Sequence, residues 1–139
     1  VEIMGSLELD VVPLTGELEE VDVLFTGELS ITLPPRERTT VVSHYPTTPS
    51  NRVFALTTHT HQLGVEATLE RVGMSGETTL LHRSISWAEP PLNIFDPPLQ
   101  FHAGDQIRLT CVYENTTDAV VSFGVGFEDE MCFFWTYHY

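Results

Sequence analysis

The sequence predicts an all-β protein, an antiparallel β-sandwich of jelly-roll type with roughly eight to ten short strands. Three observations carry this expectation. Apolar and polar residues alternate with the period of two that a half-buried strand requires. Nowhere do apolar residues recur at helical spacing for three turns. The 9 prolines fall between the alternating runs, where the connections of an antiparallel sheet belong.

The elements follow in order. Leu7-Glu8-Leu9-Asp10-Val11 alternates apolar and acidic residues and reads as a strand. Leu29 to Leu33 alternates again and is stopped by Pro34-Pro35. Thr39 to Ser43 is rich in β-branched residues, which favour the extended chain. Val53 to His61 is a long strand candidate, followed by Val65 to Arg71. Gly73-Met74-Ser75-Gly76 has the composition of a hairpin turn leading into Thr78 to Ile85. Gln106 to Tyr113 alternates cleanly, with Ile107, Leu109, Cys111 and Tyr113 on one face. Val120 to Phe123 and Met131 to Tyr137 complete the set. No internal repeat, low-complexity linker or second domain is visible, so residues 1–139 read as one domain.

A chain of 139 residues can bury roughly two thirds of its unfolded surface in one core. No apolar run approaches the roughly 20 residues of a membrane-spanning helix. The opening Val1-Glu2-Ile3 has no basic segment with an apolar stretch behind it, which is compatible with earlier removal of a leader. Acidic residues number 20 and basic residues 6, for a net charge of −14, and every basic residue is arginine. That balance excludes nucleic acid or an anionic membrane as the main partner, because both need a basic patch. It leaves cations, small molecules and basic peptides. The 2 cysteines, Cys111 and Cys132, are too few for a disulfide scaffold or a cysteine-only metal site. One bridge between them would be worth about 3 kcal/mol by loop entropy. Two buried free thiols are the alternative.

Two segments carry chemistry. In Thr57-Thr58-His59-Thr60-His61-Gln62-Leu63-Gly64, residues two apart on a strand share a face. His59 and His61 would therefore present two imidazoles side by side, close enough to reach one metal ion. Gly64 would let the chain turn directly afterwards. The second segment is Gly126-Phe127-Glu128-Asp129-Glu130-Met131-Cys132-Phe133-Phe134-Trp135-Thr136-Tyr137. A methionine standing alone is a core residue. A thioether added to two imidazoles, however, suits copper, above all Cu(I), and suits zinc or magnesium poorly. Such a set leaves a coordination position open for oxygen or substrate. Glu128, Asp129 and Glu130 read as a solvated turn that draws cations toward the site.

Other residues read more plainly. His102 precedes Ala103-Gly104-Asp105 in a turn and is structural. His44 and His82 read as surface or edge residues, and His138 lies near the end, where a chain frays. Their spacing suggests no second copper site. Asn115-Thr116-Thr117 fits a glycosylation acceptor.

Taken together, three segments resemble the C-terminal domain of the copper type II, ascorbate-dependent monooxygenases, the family of peptide-amidating and dopamine-hydroxylating enzymes. They are His59-Thr60-His61-Gln62-Leu63-Gly64; His102-Ala103-Gly104-Asp105 leading into Thr110-Cys111-Val112-Tyr113; and Asp129-Glu130-Met131-Cys132. The resemblance runs from about Met4 to Tyr139. It implies that His59, His61 and Met131 are the ligands of an oxygen-activating copper. It implies a Cys111–Cys132 disulfide that holds Met131 by its neighbour, and hence a secreted or periplasmic location. It also implies hydroxylation of a substrate C–H bond, with electrons supplied by ascorbate through a second copper on an N-terminal domain. That domain is absent from these 139 residues.

The departures from the family pattern are informative. Thr57 stands where peptide-amidating members carry an arginine that grips the substrate carboxylate. Phe133 and Trp135 replace an asparagine and a tyrosine, and His44 stands at a cysteine of a second family disulfide. Met131, Phe133 and Trp135 share one face by alternation, so the pocket wall beside the copper should be aromatic and apolar. The expected function is the oxygen-activating copper domain of a monooxygenase, working on a small-molecule substrate with another domain or electron-donor protein. The alternative is a stand-alone copper-binding protein for storage, delivery or electron transfer.

Overall fold

The computed structural model describes residues 5–11, 13, 16 and 19–139. The described residues form ten strands and no helix. These are β1 (Asp22–Glu28), β2 (Thr32–Leu33), β3 (Arg38–Pro46), β4 (Arg52–His59), β5 (Gly64–Val72), β6 (Thr78–Ser84), β7 (Asn93–Gln100), β8 (Gln106–Glu114), β9 (Val121–Ser122) and β10 (Cys132–His138). One four-stranded sheet has the order β1-β10-β4-β7 and a second has the order β3-β8-β5-β6. β2 and β9 make a small ribbon. All strand pairs are antiparallel. The chain changes sheets from β3 to β4, from β4 to β5, from β6 to β7 and from β7 to β8.

The two sheets share one core. Ile107, Leu109, Cys111 and Tyr113 of β8 all point inward, as the alternation of that strand predicts, and meet Leu56 of β4 and Phe134 of β10. Cys111 on β8 is bonded to Cys132 at the start of β10, with Cα atoms 6.0 Å apart, so the disulfide joins the two sheets. The hairpin turn at Gly73–Gly76 is present. The Gly76 amide donates to the Gly73 carbonyl at 2.9 Å, and Gly76 takes the positive φ of 88° that favours glycine.

Three expectations need correction, and one strand, β1, has no counterpart in the sequence reading. Leu7–Val11 is not a strand; Leu7 is 82% exposed, and among the described residues no strand pairs with the segment. Alternation supplies a capacity to pair, and here the edge position is taken by β1 instead. β1 has no clean alternation, and its place depends on β10. Gly27 lies so close to β10 that a Cβ there would collide with the Cys132 carbonyl and the Phe133 ring. β7 runs through Pro97 and Pro98, which the sequence assigns to a connection. Proline is tolerated because β7 is an edge strand, and its pairing with β4 is interrupted between Val53 and Ala55. Finally, His138 belongs to β10, paired with Asp22 and Val53, and is not a frayed end.

Candidate metal centre

β4 buries Leu56 and Thr58 and turns Thr57 and His59 to the outer face of its sheet. The strand ends at His59, and the chain curls through Thr60–Leu63 into β5. The Gly64 amide closes that curl on the His61 carbonyl at 3.0 Å. Gly64 packs so tightly on Thr60 that a side chain there would collide with it. His61 is therefore on a turn and not, as the sequence suggests, on the strand itself. The two rings still come together, with centroids 5.1 Å apart at an interplanar angle of 78°. Two imidazoles that each place a nitrogen about 2 Å from one shared ion can have centroids up to about 6 Å apart.

The segment Asp129-Glu130-Met131-Cys132 lies against this turn, and each of its residues makes a separate attachment. The Asp129 carbonyl accepts from the His61 ring at Nδ1, 2.8 Å away. The Glu130 carboxylate accepts from the backbone amide of His61 at 2.8 Å and from that of Leu63 at 2.6 Å. The Met131 carbonyl accepts from the Tyr113 hydroxyl at 2.6 Å. Cys132 is tied to Cys111. Phe133 then pairs with His59 across β10 and β4. Met131, two residues earlier, belongs to the stretch of backbone that contacts the His61 turn.

The protonation states favour ligation. A carbonyl oxygen only accepts, so Nδ1 of His61 carries a proton, and in the neutral ring Nε2 is then the nitrogen with the lone pair. A ligating histidine characteristically donates its other nitrogen in this way, which orients the ring. His59 is held neutral to lower pH than an ordinary histidine, first by burial and then by the neighbouring His61. Burial raises the Glu130 carboxyl above the usual carboxylate range, and the Leu63 and His61 amides only partly offset this. Burial, with Glu130 nearby, raises the Tyr113 phenol far above its ordinary range.

Aromatic rings surround the histidines on one side. Trp135 meets His59 edge-on at 5.5 Å. Phe25 of β1 stacks on Trp135 at 4.5 Å and on Phe133 at 4.7 Å. Phe133 is buried beneath Phe25 and Phe123, whereas Trp135 stays half-exposed beside His59. Thr57 pairs with Trp135, and its hydroxyl donates to the Pro91 carbonyl at 2.8 Å.

Three further readings are corrected here. His82 lies on the edge strand β6, as one half of its reading has it, but it is 1% exposed and not a surface residue; its ring joins Thr58 Oγ1 at 3.0 Å to Asn93 Oδ1 at 2.9 Å behind β4. Glu130 is buried completely, so the acidic turn is solvated at Glu128 but not at Glu130. Flanking acids and a turn composition conceal it, because only the tertiary fold brings the two amide donors that it serves. Asn115 is no accessible glycosylation acceptor. It is 2% exposed, and its Nδ2 donates to the carbonyls of Leu33, Pro34 and Ala119. His44 is exposed as expected, and His102 lies in the Asp105 turn beside Arg71.

The donor set fits copper better than the alternatives. Among the described residues, no group of three His, Cys, Asp or Glu side chains could hold a metal ion. Both cysteines are consumed by the disulfide. The soft neutral thioether of Met131, adjacent in the chain to the residues that contact His61, would be the third donor, and thioether with imidazole is a copper preference.

Residues 20–139 match the family described as copper type II ascorbate-dependent monooxygenase, C-terminal domain. The chain belongs to that family. No curated protein matches it.

Proposed function

We propose that this chain is the oxygen-activating copper domain of a monooxygenase, with His59, His61 and Met131 as the ligands. The observation that carries the reading is the convergence of two imidazoles, 5.1 Å apart, with the segment that bears Met131, in a chain of this family. When bound, copper would supply one-electron redox chemistry toward dioxygen. The balanced reaction takes R–H, O2, two electrons and two protons to R–OH and water, with ascorbate as the reductant. The chain's own residues orient the His61 ring through Asp129, keep His59 neutral, and shield one side of the site with Phe25, Phe133 and Trp135. The second copper and its electrons come from another domain or protein.

The substrate we infer is apolar or aromatic and carries no carboxylate at the Thr57 position. A neutral hydroxyl already bonded to Pro91 cannot replace the charge-assisted grip of an arginine, which is worth about 1.5–3 kcal/mol. Trp135 offers the half-exposed ring for an apolar contact. We further propose that residues 1–139 act as one domain and that the protein works in an oxidising compartment, secreted or periplasmic, where its disulfide persists.

The test is oxygen consumption and product analysis with ascorbate, comparing a peptidyl-glycine with an aromatic amine or hydrocarbon. Each is measured with and without a copper-bearing electron-donor protein. Hydroxylation of the apolar substrate that requires the donor supports the proposal. Fast, coupled hydroxylation of the peptide by this chain alone contradicts both the substrate and the partner. One tight copper with no turnover under any of these conditions would identify the storage, delivery or electron-transfer role instead.

A further inference from the structure

We infer that Glu130 is the positioning residue of the metal centre, setting the place of His61 relative to Met131. The inference rests on the copper-site reading above. His59 has its place from the pairing of β4 with β10, opposite Phe133. His61 lies beyond the end of β4 and has no such ladder. Its carbonyl takes the Gly64 amide and the Leu63 carbonyl takes the Glu114 amide; the two amide donors of the turn go to one carboxylate, whose oxygens take residues 61 and 63 at 2.8 and 2.6 Å. A planar group with two acceptors at a set separation determines the curvature of the turn between those amides. It also determines how far the turn stands from residue 131, because Glu130 and Met131 are joined by a peptide bond.

Glu130 could merely satisfy two turn amides that would otherwise be buried without partners. Three features favour the larger role. Among the described residues no cationic side chain pairs with Glu130, so its buried carboxylate serves backbone amides, those of His61 and Leu63 first and that of Met131 as well. The preceding residue contributes the carbonyl that orients the His61 ring, so the backbone and ring of His61 are both referred to the same segment. That segment is itself anchored to the second sheet through Tyr113 and through the disulfide. The attachment therefore runs from the rigid core to Met131, then to Glu130, then to His61.

The test combines amide hydrogen exchange on the apo-protein with copper titration. In the wild type the His61 and Leu63 amides should exchange at least 10-fold more slowly than the neighbouring Gln62 amide. Glu130→Gln keeps the size of the side chain but turns an NH2 toward one of the two donors. In this variant the protection of His61 or Leu63 should fall at least 10-fold, while the paired stretches of β4 and β10 keep theirs. Cu(I) affinity should fall about 10- to 100-fold, as for other residues that orient metal ligands. X-ray absorption should show a weakened or altered thioether and imidazole shell in the variant. Equal exchange of the three amides in the wild type would overturn the inference, and would do so even if the variant failed to fold. Loss of protection with unchanged Cu(I) affinity would also overturn it, leaving a turn staple only. A wild type that takes up no copper would be the separate failure of the copper reading.

Discussion

The hydroxyl of Tyr113 donates a 2.6 Å hydrogen bond to the carbonyl of Met131. Tyr113 is the last inward-facing residue of β8 and is fully buried, so the bond ties the methionine segment to the second sheet. Removing the hydroxyl in Tyr113→Phe leaves the Met131 carbonyl without this partner. The variant should lose about 1–3 kcal/mol of stability, measured by chemical denaturation. Cu(I) binding should weaken in the same variant, because residue 131 is released from the core. A stability change within 0.3 kcal/mol, about the scatter of such measurements, would show that the bond carries little.

The Cys111–Cys132 bridge makes a second connection one residue further along. Thiol labelling of denatured, unreduced protein should find no free cysteine. Reduction should cost about 2–5 kcal/mol, the usual range for a native disulfide in a small domain. Because Cys132 adjoins Met131, reduction should also lower Cu(I) affinity. Two reactive thiols in the native, unreduced protein would contradict the bridge and the oxidising compartment together.

Two buried or half-buried histidines give the apo-protein a defined pH response. Burial lowers His82 and His59 below the ordinary histidine value of about 6.5. The unfolded chain therefore binds more protons than the folded one as pH falls through that value. The stability these groups contribute is present above about pH 6.5 and is lost below it. Glu130, raised by burial, acts in the opposite sense, so a variant is needed to isolate His82. Denaturant unfolding from pH 7.5 to pH 5 should show falling stability, with a shallower slope in His82→Gln. Identical slopes in the two proteins would exclude His82 as a contributor.

Much of the molecule is legible in the sequence, and the exceptions share a cause. β8 is read correctly because one of its faces is apolar and the other polar, which marks burial directly; β4 is found, but its end at His59 is not. The two histidines, the methionine and the cysteine pair are visible as a spaced pattern matching a family. β1 and β7 escape because their places depend on partners: β1 on a close approach of Gly27 to β10, β7 on being an edge that needs fewer donors. Leu7–Val11 shows the converse, since its alternation finds no partner strand among the described residues. Glu130 and His82 escape for a related reason. Each is polar and buried, and is satisfied by groups 67 or more residues away in one case and by Thr58 and Asn93 in the other. Composition cannot distinguish such a residue from a solvated one.

The central claim is that His59, His61 and Met131 bind one copper, and paired titrations in the two oxidation states test it most directly. Apo-protein should take up Cu(I) to one equivalent. Met131→Ala should weaken Cu(I) by more than it weakens Cu(II), because a thioether prefers the softer ion. His61→Ala should weaken both, because imidazole serves either state. Equal weakening of the two states by Met131→Ala, or none, would contradict the assignment of Met131 and with it the copper centre described here.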